Sequence, residues 1–560
     1  MKQYELIDAA LKRHATLVIK NANVVNVFTE EIIRADVALC EDIIIGVGDY
    51  SAENEIDANG AYLCPGFIDS HVHIESSMVV PGSYSRVVIP HGTTTVIADP
   101  HEIANVCGMK GIKAMYKMSD DLPLLVLFML PSCVPATPFE NSGAELYAED
   151  MESYSKKGRV LGLAEVMDYV STVSGSKEML DKLRLFENRP IDGHAPLLSG
   201  DELNAYRVAG PSSDHECSNY DEILEKLRTG MKIILRVGSA ANNMDEIFAR
   251  IARDDLPTDN MMFCTDDKHL ENIRSEGSIN CIARMAVAAG ISPVKAVRMA
   301  SYNSARAFGV RKLGAIAPGY RANMVLFKDL KDFEAQQVFI NGRPYEDRPI
   351  PMPLIPSEVY NSVHIAPVTK DTLRLPVTGE MPAIGLTPGQ LVTNRITVRP
   401  KAQNGCFVPD RELAKLAVIE RHHAKGTVGL GIVKGFNIEG GAIASTVAHD
   451  SHNLVVAGDN DEDMLIAIES LAECGGGFCV VSRGIVLARL PLEIAGLMTA
   501  DPIESVLSRQ QALLSAAASL GVLAKSDPLV LLSFLALPVI PEIRLTDLGL
   551  FDVTRMEFIK

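Results

Sequence analysis

The feature that most constrains the fold is a regular alternation of short apolar segments with amphipathic helical segments between residues 67 and 266. Short apolar runs predict buried strands, and we assign eight: Phe67–His73, Thr93–Asp99, Leu122–Leu130, Arg159–Met167, Ile191–His194, Ser212–His215, Lys232–Val237 and Met261–Asp266. Helices are predicted between the later strands, at Glu178–Glu187, Glu202–Val208, Asp221–Thr229 and Asp245–Arg253. Eight strand-and-helix units in about 250 residues are typical of a (β/α)8 barrel, although a doubly wound open sheet gives much the same pattern.

The two flanks of this region predict further domains. Residues 15–62 consist of short β-rich pieces, and a similar passage returns at 314–343, so we expect both flanks to build one small β domain. A proline-rich stretch, Pro344–Pro356, predicts a linker before a third region of mixed α and β pattern. A chain of 560 residues is also too long for a single core, and two or three domains are expected.

Charge and hydropathy limit the possible partners. The net charge of -18 repels both nucleic acid and an anionic membrane surface. The longest apolar stretches, Leu122–Leu130 and Leu529–Ile540, are shorter than the roughly 20 residues that span a bilayer. Residues 1–20 lack the order of a signal peptide, and none of the ten cysteines forms a CxxC pair. We therefore expect a cytoplasmic protein that binds a small molecule, and neither nucleic acid nor a membrane.

Two histidines at the end of the first predicted barrel strand have a spacing that suits metal ligation. His71 and His73 are two residues apart, so in a strand both imidazoles project from the same face. Barrel enzymes place their active sites at this carboxyl end of the strands. Two structural histidines in a loop would have the same spacing, so this pair alone does not establish a site.

Later strand ends carry further candidate ligands. Glu165 lies near the end of an otherwise apolar strand, where a carboxylate is costly unless it is paired or bound to a metal. His194, His215 and Asp266 end three other strands. Any one of them could be structural or solvated. Together with the first histidine pair they predict a site for zinc, iron or manganese, with about enough ligands for two ions that share a carboxylate.

The residues around these positions resemble those of a known family. The run Pro65-Gly-Phe-Ile-Asp-Ser-His-Val-His, the strand-end histidines and the late aspartate are similar to the amidohydrolase superfamily. Four further segments resemble adenine deaminases of the bacterial, adenase type: His71-Val-His-Ile-Glu-Ser-Ser-Met, Ala98-Asp-Pro-His-Glu-Ile-Ala-Asn-Val, Thr265-Asp-Asp and Ile443-Ala-Ser-Thr-Val-Ala-His-Asp-Ser-His-Asn-Leu. The resemblance extends from near residue 15 to beyond Met498 and includes the third region, which ordinary amidohydrolases lack.

This resemblance implies an α/β fold: a (β/α)8 amidohydrolase barrel, a small β domain from both flanks and a C-terminal α+β domain. The expected domains are 1–65 and 311–355 for the β domain and linker, 66–310 for the barrel, and 356–560 for the family-specific domain. The implied metal ligands are His71, His73, Glu165 as the bridge, His194, His215 and Asp266. Two divalent ions per subunit are implied, manganese or iron with zinc also suitable, in a homo-oligomer, with a dimer favoured.

The implied reaction is hydrolytic deamination of adenine to hypoxanthine in purine salvage and adenine catabolism. Asp266 is expected to accept a proton from the attacking water, and His215 is counted with the catalytic residues as well as with the ligands. Glu102 is the candidate acid for ring atom N1, although a loop carboxylate that fixes a neighbour fits the sequence equally well. Candidates for contact with the purine edge, which the sequence does not decide, are His269, Arg236 and Ser239.

Two features leave alternatives open. The family pattern leads us to expect an acid after Arg236, where this chain has Val237, so the substrate or the activity could differ. His449–His452 marks the family without a role, and it could cover the barrel mouth, bind another metal or cap a strand. The rival functions are an amidohydrolase acting on another heterocycle or a cyclic amide, and a non-enzymatic homologue that has lost its metals. A homologue that has lost its metals would lack some of the ligands, whereas all six are present in this chain.

Overall fold

The first part of the chain forms a helix and five strands. The computed structural model describes residues 3–12, 14–239, 244–387, 390–522 and 527–559, and it begins with helix α1 (Gln3–Lys12). The strands are β1 (Leu17–Asn26), β2 (Glu31–Cys40), β3 (Ile43–Gly48), β4 (Glu55–Asp57) and β5 (Tyr62–Pro65). β1 pairs antiparallel with β2 and parallel with β4 and β5. The alternation of apolar and polar residues in this flank therefore does produce a sheet.

Eight short strands then form the barrel. They are β6 (Phe67–Val72), β7 (Thr93–Ala98), β8 (Leu125–Leu130), β9 (Val160–Val166), β10 (Ile191–Gly193), β11 (Ser213–Asp214), β12 (Lys232–Arg236) and β13 (Met261–Cys264). β6 to β10 make one parallel sheet and β11 to β13 another. Backbone hydrogen bonds join the sheets at both seams: Ser212 N–H donates to Ile191 O (2.9 Å) and Asp266 N–H donates to His71 O (3.0 Å). This closure confirms the barrel and excludes the doubly wound sheet.

Helices and 3-10 turns connect the barrel strands and continue after the last one. They are α2 (Pro81–Val88), α3 (His101–Met118), α4 (Ala148–Ser155), α5 (Tyr169–Ser174), α6 (Lys177–Leu185), α7 (Gly200–Ala209), α8 (Tyr220–Arg228), α9 (Met244–Arg253), α10 (Leu270–Glu276), α11 (Ile279–Ala288), α12 (Pro293–Met299) and α13 (Tyr302–Ala307), with 3-10 turns at Ile74–Ser77 and Ile89–His91. All four predicted helices are present, as α6 to α9. In α9 the buried residues Ile247, Phe248 and Ile251 recur at helical spacing, which explains why the sequence identified it.

The chain then returns to the first sheet. β14 (Met324–Phe327), β15 (Ala335–Ile340) and β16 (Arg343–Pro344) complete it, and β14 pairs antiparallel with β5. The prediction that both flanks share one sheet is confirmed. Because β5 leads directly into β6, this sheet fixes the entry to the first barrel strand and to the histidine pair that follows it.

The last part of the chain forms the C-terminal region, which we call the C-terminal domain. A 3-10 turn at Ser357–Val359 precedes strands β17 (Met381–Leu386), β18 (Thr393–Val398), β19 (Ala402–Gln403), β20 (Cys406–Phe407), β21 (Leu413–Ile419), β22 (Val428–Lys434), β23 (Gly441–Ser445), β24 (Leu454–Gly458), β25 (Gly477–Ser482), β26 (Ile485–Pro491), β27 (Ile543–Thr546), β28 (Gly549–Asp552) and β29 (Glu557–Phe558). The helices are α14 (Asp461–Cys474), α15 (Ile503–Ser519) and α16 (Pro528–Phe534).

Eight of these strands form one mixed sheet in the order β18-β17-β22-β21-β24-β23-β25-β26. The domain contacts the barrel directly: Asn141 Nδ2 donates to Asp547 Oδ2 (2.6 Å), and Asn453 Nδ2 donates to Asn141 O (2.8 Å). None of the helices in the described ranges has the length and apolar character needed to cross a membrane.

Candidate metal centre

All six predicted ligands meet at the carboxyl end of the barrel strands. The first group surrounds His73, whose Nε2 lies 3.0 Å from Asp266 Oδ1 and 3.4 Å from Glu165 Oε1. His71 Nε2 lies 3.5 Å from the same Asp266 oxygen. These four residues are buried, with at most 4% exposure each. His71 and Glu165 are the penultimate residues of β6 and β9, and the other four ligands follow their strands by one or two residues, so all six lie at the barrel mouth.

The second group is built on the other oxygen of Glu165. Its Oε2 lies 2.7 Å from His194 Nδ1 and 3.2 Å from His215 Nε2. The two oxygens of one carboxylate therefore face two different groups of imidazoles. This is the position that a carboxylate bridging two cations would occupy, which is the role that the family resemblance implies for Glu165.

The outer nitrogens of the first histidine pair show which ring atoms are available to a cation. His71 Nδ1 lies 3.0 Å from Asp192 Oδ2, and His73 Nδ1 lies 3.0 Å from the carbonyl oxygen of Asp99. Both partners accept hydrogen bonds, so each Nδ1 carries the proton in the neutral ring and each Nε2 presents a lone pair. The two Nε2 atoms face each other at 3.1 Å. A divalent cation fits this convergence of imidazole and carboxylate donors, which includes no thiolate.

Both carboxylates in the centre are ionised. Burial acts to raise the pKa of Glu165, but the nearby charge of His215 and the hydrogen bonds of His101 and His194 hold it well below its usual value. Burial opposes ionisation of Asp266 in the same way, and the Arg236 guanidinium keeps its pKa well below normal. The charged forms that bind cations are thus the forms that this site favours.

Arg236 orients Asp266 from the side opposite the histidines. Its Nη1 donates to Asp266 Oδ2 (2.8 Å) and its Nη2 donates to Glu216 Oε2 (3.1 Å). Val237, where we expected an acid, is 5% exposed and packs in the main hydrophobic core. Both carboxylate partners of Arg236 therefore lie just past the ends of other strands. Val237 stabilises the barrel through apolar contacts.

Three residues of the site were not identified from the sequence. Asp99 and Asp192 support the two histidines, and both are at most 1% exposed. His101 Nδ1 lies 3.1 Å from Asp99 Oδ2 and 3.3 Å from Glu165 Oε1. Glu165 was identified because it is an acid in an apolar strand. The two aspartates are also acids in or directly after a buried strand, so the same criterion could have identified them. His101 lies in one of the segments that resemble the family. It is the first residue of a helix and does not end a strand, so the strand pattern did not identify it.

The structure places Glu102 next to the C-terminal domain. His449 Nδ1 lies 2.5 Å from Glu102 Oε1, and His452 Nε2 is hydrogen-bonded to Glu102 Oε2. Burial acts to raise the pKa of Glu102, but the charges of His449, His452 and His101 hold it well below its usual value. An ionised carboxylate with both oxygens engaged cannot donate a proton, so a role for Glu102 as the ring acid is not favoured.

The remaining candidates for substrate contact lie beside the centre. Ser239 Oγ donates to Asn272 Oδ1 (2.7 Å) and accepts a hydrogen bond from His269 N–H (2.8 Å). Burial lowers the pKa of His269, so its imidazole is neutral near neutral pH. The hydroxyl of Ser239 is thus already used to fix the loop that carries His269.

Comparisons with known proteins agree with this arrangement. Residues 62–345 match the model of the amidohydrolase family, and residues 390–557 match the adenine deaminase C-terminal domain. An adenine deaminase from Desulfitobacterium hafniense is 43% identical over 98% of this chain and 97% of its own length. Adenine deaminases from Clostridium acetobutylicum and Geobacillus kaustophilus are each 45% identical over 99% of this chain and 99% and 98% of their own lengths. The chain therefore belongs to the adenine deaminase family of amidohydrolases.

Proposed function

We propose that this protein hydrolyses adenine to hypoxanthine and ammonia, as an enzyme of purine salvage. The observation that carries the proposal is the convergence of four histidines, Glu165 and Asp266 at one barrel mouth. The likeness to adenine deaminases over nearly the whole chain supports the choice of substrate. The net charge of -18 and the buried, polar site favour a small neutral substrate over nucleic acid.

The six ligands would hold two divalent transition metals, for which manganese or iron is favoured and zinc is chemically suitable. His71, His73, Glu165 and Asp266 would hold one ion, and Glu165, His194 and His215 the other. When bound, the ions polarise a water molecule and lower its pKa toward neutrality. His215 acts through its contact with Glu165, at 3.2 Å, and has no further role in proton transfer in this scheme.

Asp266 is the proposed carrier of the water proton. Arg236 holds Oδ2 at 2.8 Å, so the carboxylate is fixed in orientation and ionised before substrate binds. Asp266 takes one proton as the water oxygen bonds to C6, and it then delivers that proton to the amino group, which departs as ammonia. The second water proton leaves the C6 oxygen, which becomes the carbonyl of hypoxanthine, and it balances the proton that N1 carries in the product.

We also propose that the enzyme is a cytoplasmic homo-oligomer, with a dimer favoured. The family resemblance supports the assembly, and the net charge of -18 supports a location away from nucleic acid and anionic membranes. Light scattering on the purified chain would measure the assembly directly. A monomer at all concentrations would contradict the proposed oligomer without affecting the proposed reaction.

The reaction is tested by measuring ammonia release from adenine, adenosine, guanine and cytosine with protein loaded with manganese, iron or zinc. We expect rapid release from adenine alone, because a closed barrel mouth with fixed polar groups discriminates among heterocycles. We expect about two metal ions per chain in the active preparations.

Ammonia release from another heterocycle, with none from adenine, would refute the proposed substrate. Val237, where the family pattern has an acid, would then be the first position to test for a role in substrate choice. Less than one metal ion per chain after growth in supplemented medium would support the non-enzymatic alternative instead. Incubation with a chelator serves as the control, since it should abolish ammonia release and leave the folded chain in solution.

A further inference from the structure

The C-terminal domain presents two histidines to a carboxylate of the barrel. Glu102 is the second residue of α3, which begins just past β7, and His449 and His452 lie in the loop between β23 and β24. All three residues are at most 6% exposed. None of them belongs to the six metal ligands, so this contact between domains has no role in the scheme above.

The hydrogen bonds of His452 determine its tautomer. The backbone N–H of Ala448 donates to His452 Nδ1 (3.1 Å), so that nitrogen carries a lone pair and not a proton. The proton of the neutral ring is then on Nε2, which donates to Glu102 Oε2. This is the reverse of His71 and His73, whose Nδ1 atoms face acceptors and leave Nε2 free for a cation. His452 is therefore built to donate to Glu102 and not to ligate a further metal.

His449 has the opposite arrangement. Its Nδ1 lies 2.5 Å from Glu102 Oε1, and because the carboxylate can only accept, this nitrogen carries a proton. Its backbone N–H donates to Ser533 O (2.9 Å), and its ring stacks on Phe534 with centroids 4.5 Å apart. Among the described residues, these hydrogen bonds leave Nε2 of His449 without a protein partner. The ring is thus oriented by Glu102 with its second nitrogen available to another molecule.

The surroundings of the two histidines give them different charges. Burial acts to lower the pKa of His449, but the charges of Glu102, Asp267 and Asp450 raise it to about 9. Burial lowers the pKa of His452 to about 4 despite the attraction of Glu102. His452 and His269 also face His449. His101 connects this group to the centre, since its Nε2 lies 3.5 Å from Glu102 Oε1 and its Nδ1 lies 3.3 Å from Glu165 Oε1. The carboxylate that orients His449 is therefore one side chain away from the proposed bridging ligand.

We propose that His449 is the catalytic residue that protonates N1 of the purine, and that Glu102 is its positioning residue. This proposal rests on the proposed deamination of adenine. It assigns to the C-terminal domain a direct part in the chemistry and replaces our prediction of Glu102 as the ring acid. A carboxylate that orients an imidazole for proton transfer is a recurrent arrangement in enzymes.

Two groups, Asp266 and His449, carry all the protons that move in the proposed reaction. As water oxygen bonds to C6, Asp266 takes one water proton and the His449 imidazolium gives its Nε2 proton to N1. The electron pair of the C6–N1 double bond moves onto N1 as that proton arrives. When the C6–amine bond breaks, Asp266 protonates the departing amine, and the remaining hydroxyl proton restores the His449 imidazolium. The products are ammonia and hypoxanthine protonated at N1.

The test uses the metal-loaded full-length enzyme and the variants His449→Gln, His449→Ala and Glu102→Gln, with exposed His423→Gln as the matched control. We expect His449→Gln to lower kcat for adenine by about 10²- to 10⁴-fold, the usual contribution of a positioned acid. The wild type should lose activity as pH rises through about 9, because the imidazolium is then deprotonated, and His449→Gln should lack this alkaline fall.

Two further readouts separate proton transfer from a structural role. Added imidazole should restore part of the activity of His449→Ala. Glu102→Gln should move the alkaline fall to lower pH, because removal of the negative charge lowers the pKa of His449. The metal content of every variant should equal that of the wild type. His423→Gln should match the wild type in every respect.

The proposal is overturned if His449→Gln keeps both the wild-type kcat and the alkaline fall. It is overturned equally if His449→Gln loses a metal ion, since His449 would then be a ligand. A wild-type enzyme that releases no ammonia from adenine refutes the proposed function itself, whereas an active wild type with an unaffected His449 variant refutes this inference alone.

Discussion

Replacement of Asp266 by asparagine is expected to lower kcat for adenine by about 10²- to 10⁴-fold, the contribution typical of a positioned proton carrier. The amide nearly preserves the volume of the side chain, and its oxygen can still accept from Arg236. It cannot accept the water proton, and it provides a weaker ligand next to His73. Steady-state ammonia release measures the loss, with circular dichroism and metal analysis on the same preparation.

The matched control for this variant is Asp255→Asn. Asp255 also lies in the barrel region, but its side chain is 87% exposed and its partner is Lys295, far from the ligands. We expect wild-type kinetics from Asp255→Asn. A second variant of the site, His71→Ala, should have no measurable turnover and should retain the fold. Near-normal rates in Asp266→Asn or His71→Ala would refute the assignment of the centre.

A buried lysine beneath the second ligand group should have the largest effect on stability. Lys226 is fully buried, and its Nζ donates to Asp214 Oδ2 (2.5 Å), Glu222 Oε1 (2.6 Å) and Ala195 O (2.6 Å). Lys226→Met leaves two buried carboxylates without their counter-charge. The expected loss in the free energy of unfolding is about 3–5 kcal/mol, the range for breaking a buried ion pair.

This loss should also reach the metal centre, because Asp214 precedes His215 and Ala195 follows His194. Chemical denaturation, with and without added manganese, would measure the change in unfolding free energy, and metal analysis would show weaker binding. Lys177→Met is the control, since the Lys177 side chain is 88% exposed and its pair with Asp181 lies at the surface, where ion pairs contribute little to stability. Equal stability of Lys226→Met and the wild type would contradict the assigned role.

The barrel, and the position of the six proposed ligands at its mouth, were predictable because their signals are local. Most of the strands are apolar runs, and each proposed ligand lies within two residues of a strand end, as with Glu165 and Asp266. Periodicity could not distinguish a closed barrel from an open sheet, because closure depends on hydrogen bonds between distant segments. The bond from Asp266 N–H to His71 O is one such contact.

The role of Glu102 could not be predicted for the same reason. Its partner His449 is 347 positions away, and no pattern in either segment indicates that they meet. Sequence alone also gives no information on tautomers, which here depend on whether Nδ1 faces a donor such as Ala448 N–H or an acceptor such as Asp192. The acid expected at Val237 came from the family pattern, whereas the position itself is an apolar part of the core.

The barrel seam has a thermodynamic consequence for metal supply. The N–H of Asp266 donates to His71 O and the N–H of His73 donates to Asp266 O (3.3 Å), so the proposed cation ligands also close the ring of strands. Cation binding and closure of the ring are therefore linked equilibria, and a cation that binds only the closed form raises its population. We expect amide hydrogen exchange at Asp266 and His73 to accelerate in metal-free protein, while exchange at the opposite seam, at Ser212, changes little. In a metal-starved cell the amount of folded enzyme would then fall together with its activity, which couples the lifetime of the protein to the availability of its metal.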